Sequence, residues 1–317
     1  MGVLTKYPTV VISGTKLAQE IGTTRSEVWR LVQQLRTLGV EIAGHPSSGY
    51  QLTAAPDLLL PEMIEPFVGG TIFAENIHHY YRAGSTNTLA LEAANAGASE
   101  GTVFLAEQQT AGRGRRENRW HSAQSTGIYC SVILRPALPP SEVLTLSLAT
   151  GLAVHSAVQE IDPHVVPDLK WPNDLLIDGK KFCGILTEMN AEATRVRYIV
   201  TGIGVNVNHA NFPEELRATA TSLRLASGKP WSRMALCAAL LRSLDHEYKD
   251  LLRDPEAHAR ILRRFEERSS MIQGKNVRVD ENGGVEGVTE GLDPRGFLRL
   301  RTNEGLRIVY SGTVRLK

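Results

Sequence analysis

The chain of 317 residues predicts an α+β multidomain fold, and three changes in hydrophobic rhythm carry that prediction. Helical periodicity followed by a short alternating run fills residues 1–56; strand-like and helical segments interchange over 64–268; short alternating runs with Gly turns fill 270–317. A hydrophobic share of 42% is that of an ordinary folded chain, and the length is too great for one small core.

The first zone reads helix, turn, helix, hairpin. In "SGTKLAQEIG", Leu17 and Ile21 stand four apart and Gly22 stops the helix. Thr24 and Glu27 form a T-x-x-E capping box for the next helix, whose stripe is Val28, Leu31, Val32, Leu35 and Leu38. "VEIAGHPSSGYQL" alternates about a Pro-Ser-Ser-Gly turn and reads as a wing. A winged helix-turn-helix is a DNA-binding layout, and Arg25, Ser26, Trp29 and Arg30 lie off the stripe, able to reach phosphates and base edges. The bland reading, an accessory or dimerisation domain, stays open. Basic residues only slightly outnumber acidic ones here, and Pro8 leaves room for a short or missing first helix. "APDLLLPEM" then reads as a Pro-punctuated linker.

In the second zone "GTVFLAEQQ", "GIYCSVILRP", "VVPDLKWP", "DLLID", "CGILTEMN" and "RYIVTGIGVNVN" read as strands, many apolar on both faces. "STNTLALEAANAG" and "SEVLTLSLATGLAVHSAVQEI" read as helices, as does the stretch from Trp231 to about Arg268, restarted at Asp254-Pro255 as N-cap and N1. The third zone, with "KNVRVD", "GFLRLRT" and "LRIVYSG", reads as a small β-barrel.

Composition excludes several classes. A formal charge of +1 leaves no bulk affinity for nucleic acid, so DNA contact must be a local patch. Cys130, Cys183 and Cys237 are too few and too scattered for a disulfide framework. With no secretory leader pattern and no long apolar run, the expectation is a reduced, cytoplasmic protein with no membrane partner. The histidines show no metal-ligand spacing, and His78-His79 reads as sheet surface.

"AGRGRR" at 111–116 is the segment that carries chemistry. Glycine lets backbone approach a ligand closely, and arginine offers forked donors that match phosphate oxygens. Ordering such a loop costs on the order of 1–2 kcal/mol per residue, so the expectation is a loop unstructured until an anion arrives. It is not a P-loop, because no G-K-[ST] follows. Alone, it is as well read as a solvated basic loop.

It does not stand alone. "GSTNT", "EQQTAGRGRR", "KWPNDL", "KKFCGILTE" and "GIGVNVN", in this order, resemble the biotin protein ligases, in particular the bacterial bifunctional type that carries an N-terminal winged helix and represses biotin synthesis. The resemblance covers nearly the whole chain. It implies a winged helix-turn-helix, a central class II synthetase-like biotin/lipoate ligase domain and a C-terminal SH3-like barrel. The implied reaction joins biotin to ATP as biotinyl-5′-AMP, then passes biotin to one lysine of the biotin carboxyl carrier protein of acetyl-CoA carboxylase, with Mg2+ as cofactor.

By this resemblance Ser85, Thr86, Asn87 and Gln109 contact the ureido ring, although Ser85 or Thr86 also suits a helix cap. Gly112, Arg113, Gly114 and Arg115 cover biotin and phosphate, and Gly184 allows close approach. Arg116, Trp120, Asn173 and Asn206 serve the adenylate; a core tryptophan and plain turn chemistry at 173–174 are the alternatives. Lys181 is the catalytic cation with Arg115, and Asp174 the magnesium-side carboxylate; Lys180 is the solvated neighbour, since a strand sends neighbours to opposite faces. Glu117 departs from the family's glycine after GRGRR. Three readings follow: a ligase that is also a repressor, binding operator DNA as a homodimer; a ligase with a vestigial winged helix; and a repressor that senses ligand without catalysis.

Overall fold

A computed structural model describes residues 3–4, 10–37, 40–45, 47–53, 57–280 and 284–317. In the N-terminal part α1 (Gly14–Glu20) is capped by Ser13, whose Oγ accepts from Lys16 N at 3.1 Å. α2 (Arg25–Thr37) follows a turn in which Gly22 takes φ 65°. The wing is β1 (Ile42–His45) paired antiparallel with β2 (Gly49–Leu52). Leu17, Val28 and Val32 are buried together, and helical Leu4 joins them. Pro8 and its neighbours, and Leu38, lie outside the described residues.

Three local expectations need correction. Ile21 is exposed, because it is the C-cap of α1 and has left the apolar face. Only half of the capping box forms: Thr24 Oγ1 accepts from Glu27 N at 3.2 Å, but the Glu27 carboxylate meets Arg30 Nε at 2.8 Å. The supposed linker is core. Leu58 and Leu60 are buried in the N-terminal cluster, while Leu59 between them is buried in the central one. An extended segment sends alternate side chains to opposite sides, so 57–60 is a seam with a core on each face. α3 (Pro61–Ile64) continues from it.

The central sheet has seven strands: β3 (Ile77–Tyr80), β4 (Val103–Ala106), β5 (Gly127–Leu134), β6 (Asp168–Lys170), β7 (Asp174–Ile177), β8 (Lys180–Ala191) and β9 (Val196–Asn206), ordered β3-β4-β5-β9-β8-β7-β6. Only β3–β4 is parallel. One face packs on α5 (Val143–Ile161), α7 (Arg233–Arg253) and α8 (Ala257–Glu267) through Ile128, Cys130, Val132, Ile199, Ile203 and Val205. By length and composition α5 is apolar enough to cross a bilayer, yet it lies mostly buried in this core. The other face is half covered by α4 (Thr86–Asn95), whose Ala90 and Ala94 meet Phe104, Ile133 and Val200. What α4 leaves open is the site.

The break between α7 and α8 is not the cap expected. Asp254 ends α7, its Oδ1 accepts from Glu256 N at 2.8 Å in a turn, and α8 begins only at Ala257. After a short α6 (Leu223–Ser227) before α7, the chain finishes in β10 (Gln273–Val279), β11 (Val285–Leu292), β12 (Leu298–Thr302), β13 (Gly305–Val309) and β14 (Val314–Leu316), an antiparallel sheet ordered β13-β12-β11-β10-β14.

Candidate active site

The floor of the open face is made of glycine. Across the sheet, Tyr129 pairs with Gly204, Gly204 with Gly184, and Gly184 with Asp174. One row along, Ser131 pairs with Gly202 and Gly202 with Leu186. Paired residues share a face, so Gly184, Gly202 and Gly204 leave bare backbone where something must approach closely. A Cβ on Gly204 would lie 2.5 Å from Trp120 Cε2, and one on Gly202 only 2.0 Å from Asn87 Oδ1. Gly202 and Gly204 escaped the reading of "GIGVNVN", although glycines two apart in a strand are a legible sign of one bare face.

Lys181 reaches this face through an irregularity. In a regular strand Lys181 and Gly184, three apart, would point to opposite sides. In β8 Leu175 pairs with Cys183 but Leu176 pairs with Lys181, so Phe182 is an extra, bulged residue. The bulge puts Lys181 beside Gly184 and sends Phe182 and Cys183 into the core. Lys181 Nζ lies 2.7 Å from Asp174 Oδ1 and 5.3 Å from the centroid of the Trp120 ring. Lys180 is exposed.

At one end of the floor the polar residues form a continuous chain of hydrogen bonds. Gln109 Oε1 accepts from Thr86 N at 2.9 Å and Gln109 Nε2 donates to Ser122 Oγ at 3.0 Å. Ser131 Oγ bonds Thr86 Oγ1 and Asn87 Oδ1 at 2.8 and 2.6 Å, and Asn87 Nδ2 donates to Glu188 Oε2 at 2.9 Å. Ser85 has the N-cap conformation of α4, but its side chain makes no capping bond, so the cap role expected of it is not filled by the hydroxyl.

The arginine loop is structured, contrary to expectation, because each arginine finds an acceptor on the protein. Asn118 N donates to Arg115 O at 3.1 Å, closing a 3₁₀ turn over Arg115–Glu117 in which Arg116 takes φ 52°, and Gly114 N donates to Asn118 O at 2.7 Å across its base. Gly112 accepts from Trp120 N at 2.9 Å. Arg113 forks onto Glu188 at 3.0 and 2.7 Å; Arg115 donates to Asn173 Oδ1 at 2.9 Å and Gly312 O at 3.4 Å; Arg116 donates to Asp280 O at 2.8 Å. Gly312 and Asp280 belong to the C-terminal sheet region, which therefore closes one side of the site. The Glu117 side chain lies outside the described residues.

Asn173 is both anchor and contact: its Nδ2 donates to Ile185 O at 2.7 Å while Oδ1 faces Arg115. Two cavities meet at Trp120, Asp174 and Lys181. The first, of about 140 Å³, is lined by Ser85, Thr86, Asn87, Gln109, Gly184 and the arginine loop. The second, of about 520 Å³, is lined by Lys170, Asn206, Phe212, Thr219, Ala220 and Arg315, none of them flagged in the sequence except Asn206. Asn206 is held by its Nδ2 to Thr221 O at 3.1 Å. Burial, against the pull of Asp174 and alongside Lys181 and Arg315, lowers the Lys170 ammonium below its ordinary value. Lys170 was hidden because only folding brings strand β6 and Arg315 together. Asn208 is structural, exchanging bonds of 2.8 and 2.9 Å with the Trp231 backbone. His78 is exposed and stacks on Phe104, but His79 turns inward onto Glu107 at 3.1 Å, so only half of that pair is surface.

A separate cleft lies between α2 and the wing, lined by Arg25, Ser26, Trp29, Gln33 and Tyr50. Trp29 is 57% exposed there. Arg30 does not join them, because its guanidinium is paired with Glu27.

Two adjoining cavities, one lined by uncharged polar side chains and glycine backbone and the other by Lys170 and Arg315, share Lys181, with the arginine loop along the first; that is the geometry of a site for two ligands, one of them anionic. Residues 80–206 match the Biotin/lipoate A/B protein ligase family, residues 273–317 the Biotin protein ligase C terminal domain, and residues 3–51 an HTH domain. The Bifunctional ligase/repressor BirA of Bacillus subtilis is 37% identical over 308 residues, 96% of this chain and 94% of that one. A Biotin--[acetyl-CoA-carboxylase] ligase of Mycobacterium tuberculosis is 36% identical over 239 residues, covering 74% of this chain and 86% of its own. The biotin protein ligase of Aquifex aeolicus in complex with biotin and ATP superposes with a TM-score of 0.65 at 30% identity, over 77% of this chain and 99% of that one. The chain belongs to the biotin protein ligase family, in the form that carries a winged helix.

Proposed function

We propose that this chain activates biotin with ATP to biotinyl-5′-AMP and transfers the biotinyl group to a lysine of a biotin carboxyl carrier protein. The observation that carries the reading is the shared wall of the two cavities, where Lys181 and Asp174 stand 2.7 Å apart. Biotin's uncharged ureido head suits the chain Thr86, Asn87, Gln109, Ser131, in which each polar atom already has a partner to exchange. Its tail crosses the glycine floor toward Lys181. ATP lies in the second cavity with adenine near Asn206 and Phe212 and phosphates toward Lys170, Lys181 and Arg315.

A biotin carboxylate oxygen attacks the α-phosphorus; that O–P bond forms as the bond to the bridging oxygen breaks, and pyrophosphate leaves with the electron pair. Charge accumulates on the α-phosphate oxygens, within reach of Lys181 and Arg115. In the second step the carrier amine attacks the acyl carbon, AMP leaves, and the amide nitrogen gives its proton to solvent. Asp174 and Asn173 Oδ1 are oxygen donors of the kind Mg2+ accepts, and among the described residues no cluster of three His, Cys, Asp or Glu offers an all-protein cage. The donor set therefore fits a magnesium ion carried in by the triphosphate, which would supply further positive charge there.

A second reading stands beside the first, binding of operator DNA by a homodimer in the cytoplasm; the cleft around exposed Trp29 supports its DNA-contact part. The test of the first is incubation with biotin, magnesium and α-labelled ATP, with apo carrier domain in half the samples. Labelled biotinyl-AMP that disappears as the carrier gains biotin is the expected result. Biotin binding with no adenylate would leave a sensor in place of an enzyme.

A further inference from the structure

Glu107 and Arg233 are both 0% exposed and stand 2.8 Å apart, and neither lines either of the two cavities. A buried ion pair costs several kcal/mol in desolvation unless nearly every donor and acceptor is met. Here they are. Glu107 Oε1 accepts from Leu59 N at 2.9 Å and from His79 Nε2 at 3.1 Å. Arg233 donates to Gly127 O at 3.1 Å, to Asp57 Oδ2 at 3.1 Å and to Asp57 O. Burial pushes the Glu107 carboxyl up, but His79, Arg233 and the Leu59 amide together hold it at about 2, so it is ionised.

Three segments end on this pair. One is the seam 57–60, which joins the winged helix to the rest and buries Leu58 and Leu60 on one side and Leu59 on the other. The second is the end of β4: Glu107 O accepts from Ser125 N at 2.9 Å, and two residues on stands Gln109, bonded to Thr86. The third is the start of β5, where Gly127 pairs with Asn206. We propose that Glu107 and Arg233 are positioning residues that couple the biotin pocket, through Gln109, to the seam that holds the DNA-binding domain. This rests on the reading of Gln109 as a biotin contact.

The coupling is reciprocal by linkage. Biotin that restrains Gln109 restrains Glu107, and with it the Leu59 amide and Asp57; loosening the seam in turn weakens biotin. The winged helix is thereby held to a ligand-dependent pose within a single protomer. ATP, whose contacts lie in the other cavity, is affected less.

The experiment uses the full chain, biotin as the probe, and hydrogen exchange with steady-state kinetics as readouts. Biotin alone is expected to slow amide exchange in 57–64 of the unsubstituted protein, and Asp57→Ala is expected to abolish that protection. Asp57 is 38% exposed in its side chain but accepts from Arg233 Nε and from the Arg233 and Met234 amides, so circular dichroism and a urea midpoint are taken alongside to establish that the variant is folded. Asp57→Ala is expected to raise the KM for biotin at least three-fold and leave that for ATP unchanged, a split that a general loss of stability does not produce. Arg233→Lys, which keeps the charge and gives up the fork, is expected to move biotin KM further in the same direction. Unchanged exchange at 57–64 on adding biotin overturns the coupling, as does an Asp57→Ala protein with unaltered biotin KM. Gln109→Ala separates the two failures: if it raises biotin KM while Asp57→Ala does not, only the coupling falls, and if it changes nothing, the pocket assignment falls and the coupling with it.

Discussion

The ammonium of Lys181 rests 2.7 Å from the Asp174 carboxylate and over the face of Trp120, so the cation at the junction of the two cavities is paired on the protein itself. A phosphate oxygen entering the second cavity competes with Asp174 for that ammonium. Lys181→Ala is therefore expected to slow adenylate formation on the order of 10²–10³-fold, the scale for losing one preorganised charge, with biotin KM little changed. Single-turnover kinetics with labelled ATP checks it; a small effect on that step would move the catalytic cation elsewhere. Asp174→Asn is expected to raise the magnesium concentration that half-saturates adenylation.

Arg115 bridges Asn173 and the carbonyl of Gly312, and burial first, then Arg116, lowers its guanidinium from the ordinary value although it stays charged. Arg115→Ala is expected to let biotinyl-AMP form poorly and leak. Rapid filtration measures the retained adenylate, and full retention would count against a clamp.

Gly204→Ala would place a methyl 2.5 Å from Cε2 of Trp120, and ring and strand cannot both stay. The expected cost is about 1–3 kcal/mol of overpacking, with the indole pushed off the floor and biotin KM up at least ten-fold. Circular dichroism tests whether the fold holds, and tryptophan emission whether Trp120 moves. Wild-type biotin affinity in this variant would show that the floor is not the biotin path.

Stability should fall in mild acid. Burial first, then Arg268 and Arg264, holds His155 at about 4; burial, then His121 and Arg233, does the same for His209. Between an ordinary value of 6.5 and about 4 the unfolded chain takes up protons that the folded chain refuses, so stability is lost as pH falls through that window. The slope approaches about 1.4 kcal/mol per pH unit for each ring. Glu107, held at about 2 against 4.5, continues the loss in stronger acid. Urea midpoints at pH 7.5, above the window, and at pH 4.5, near its lower end, should differ, and His155→Gln should narrow the difference.

For the winged helix, Arg25→Ala is expected to weaken operator binding in low salt and lower the salt slope by about one, leaving ligation intact. An unchanged slope would place Arg25 off the phosphate backbone.

Much of this molecule was legible in residue order. The helix stripe at Val28 and Val32, the wing, the strands and the arginine loop are local: period, cap and turn chemistry act over a few residues. So were the site motifs, since GRGRR and KWPND carry their own residue types. Less legible was how the motifs meet. Alternation correctly set Lys180 outside, yet alternation alone would have put Lys181 and Gly184 on opposite faces; a single bulged residue, Phe182, resolves this.

The sequence by itself determined which segments form strands and helices, and which side chains bring charge, because those follow from spacing along one chain. The tertiary structure alone decided that Leu58 to Leu60 is a seam and not a linker, that Arg113 and Asn87 share Glu188, that Lys170 and Arg315 line one cavity, and that Glu107 meets Arg233 across 126 positions. The physical reason is plainest for Glu107 and Arg233, both fully buried. A charge far along the chain is an independent solvated group until the sheet closes, and only burial, by removing water, makes its partner a necessity.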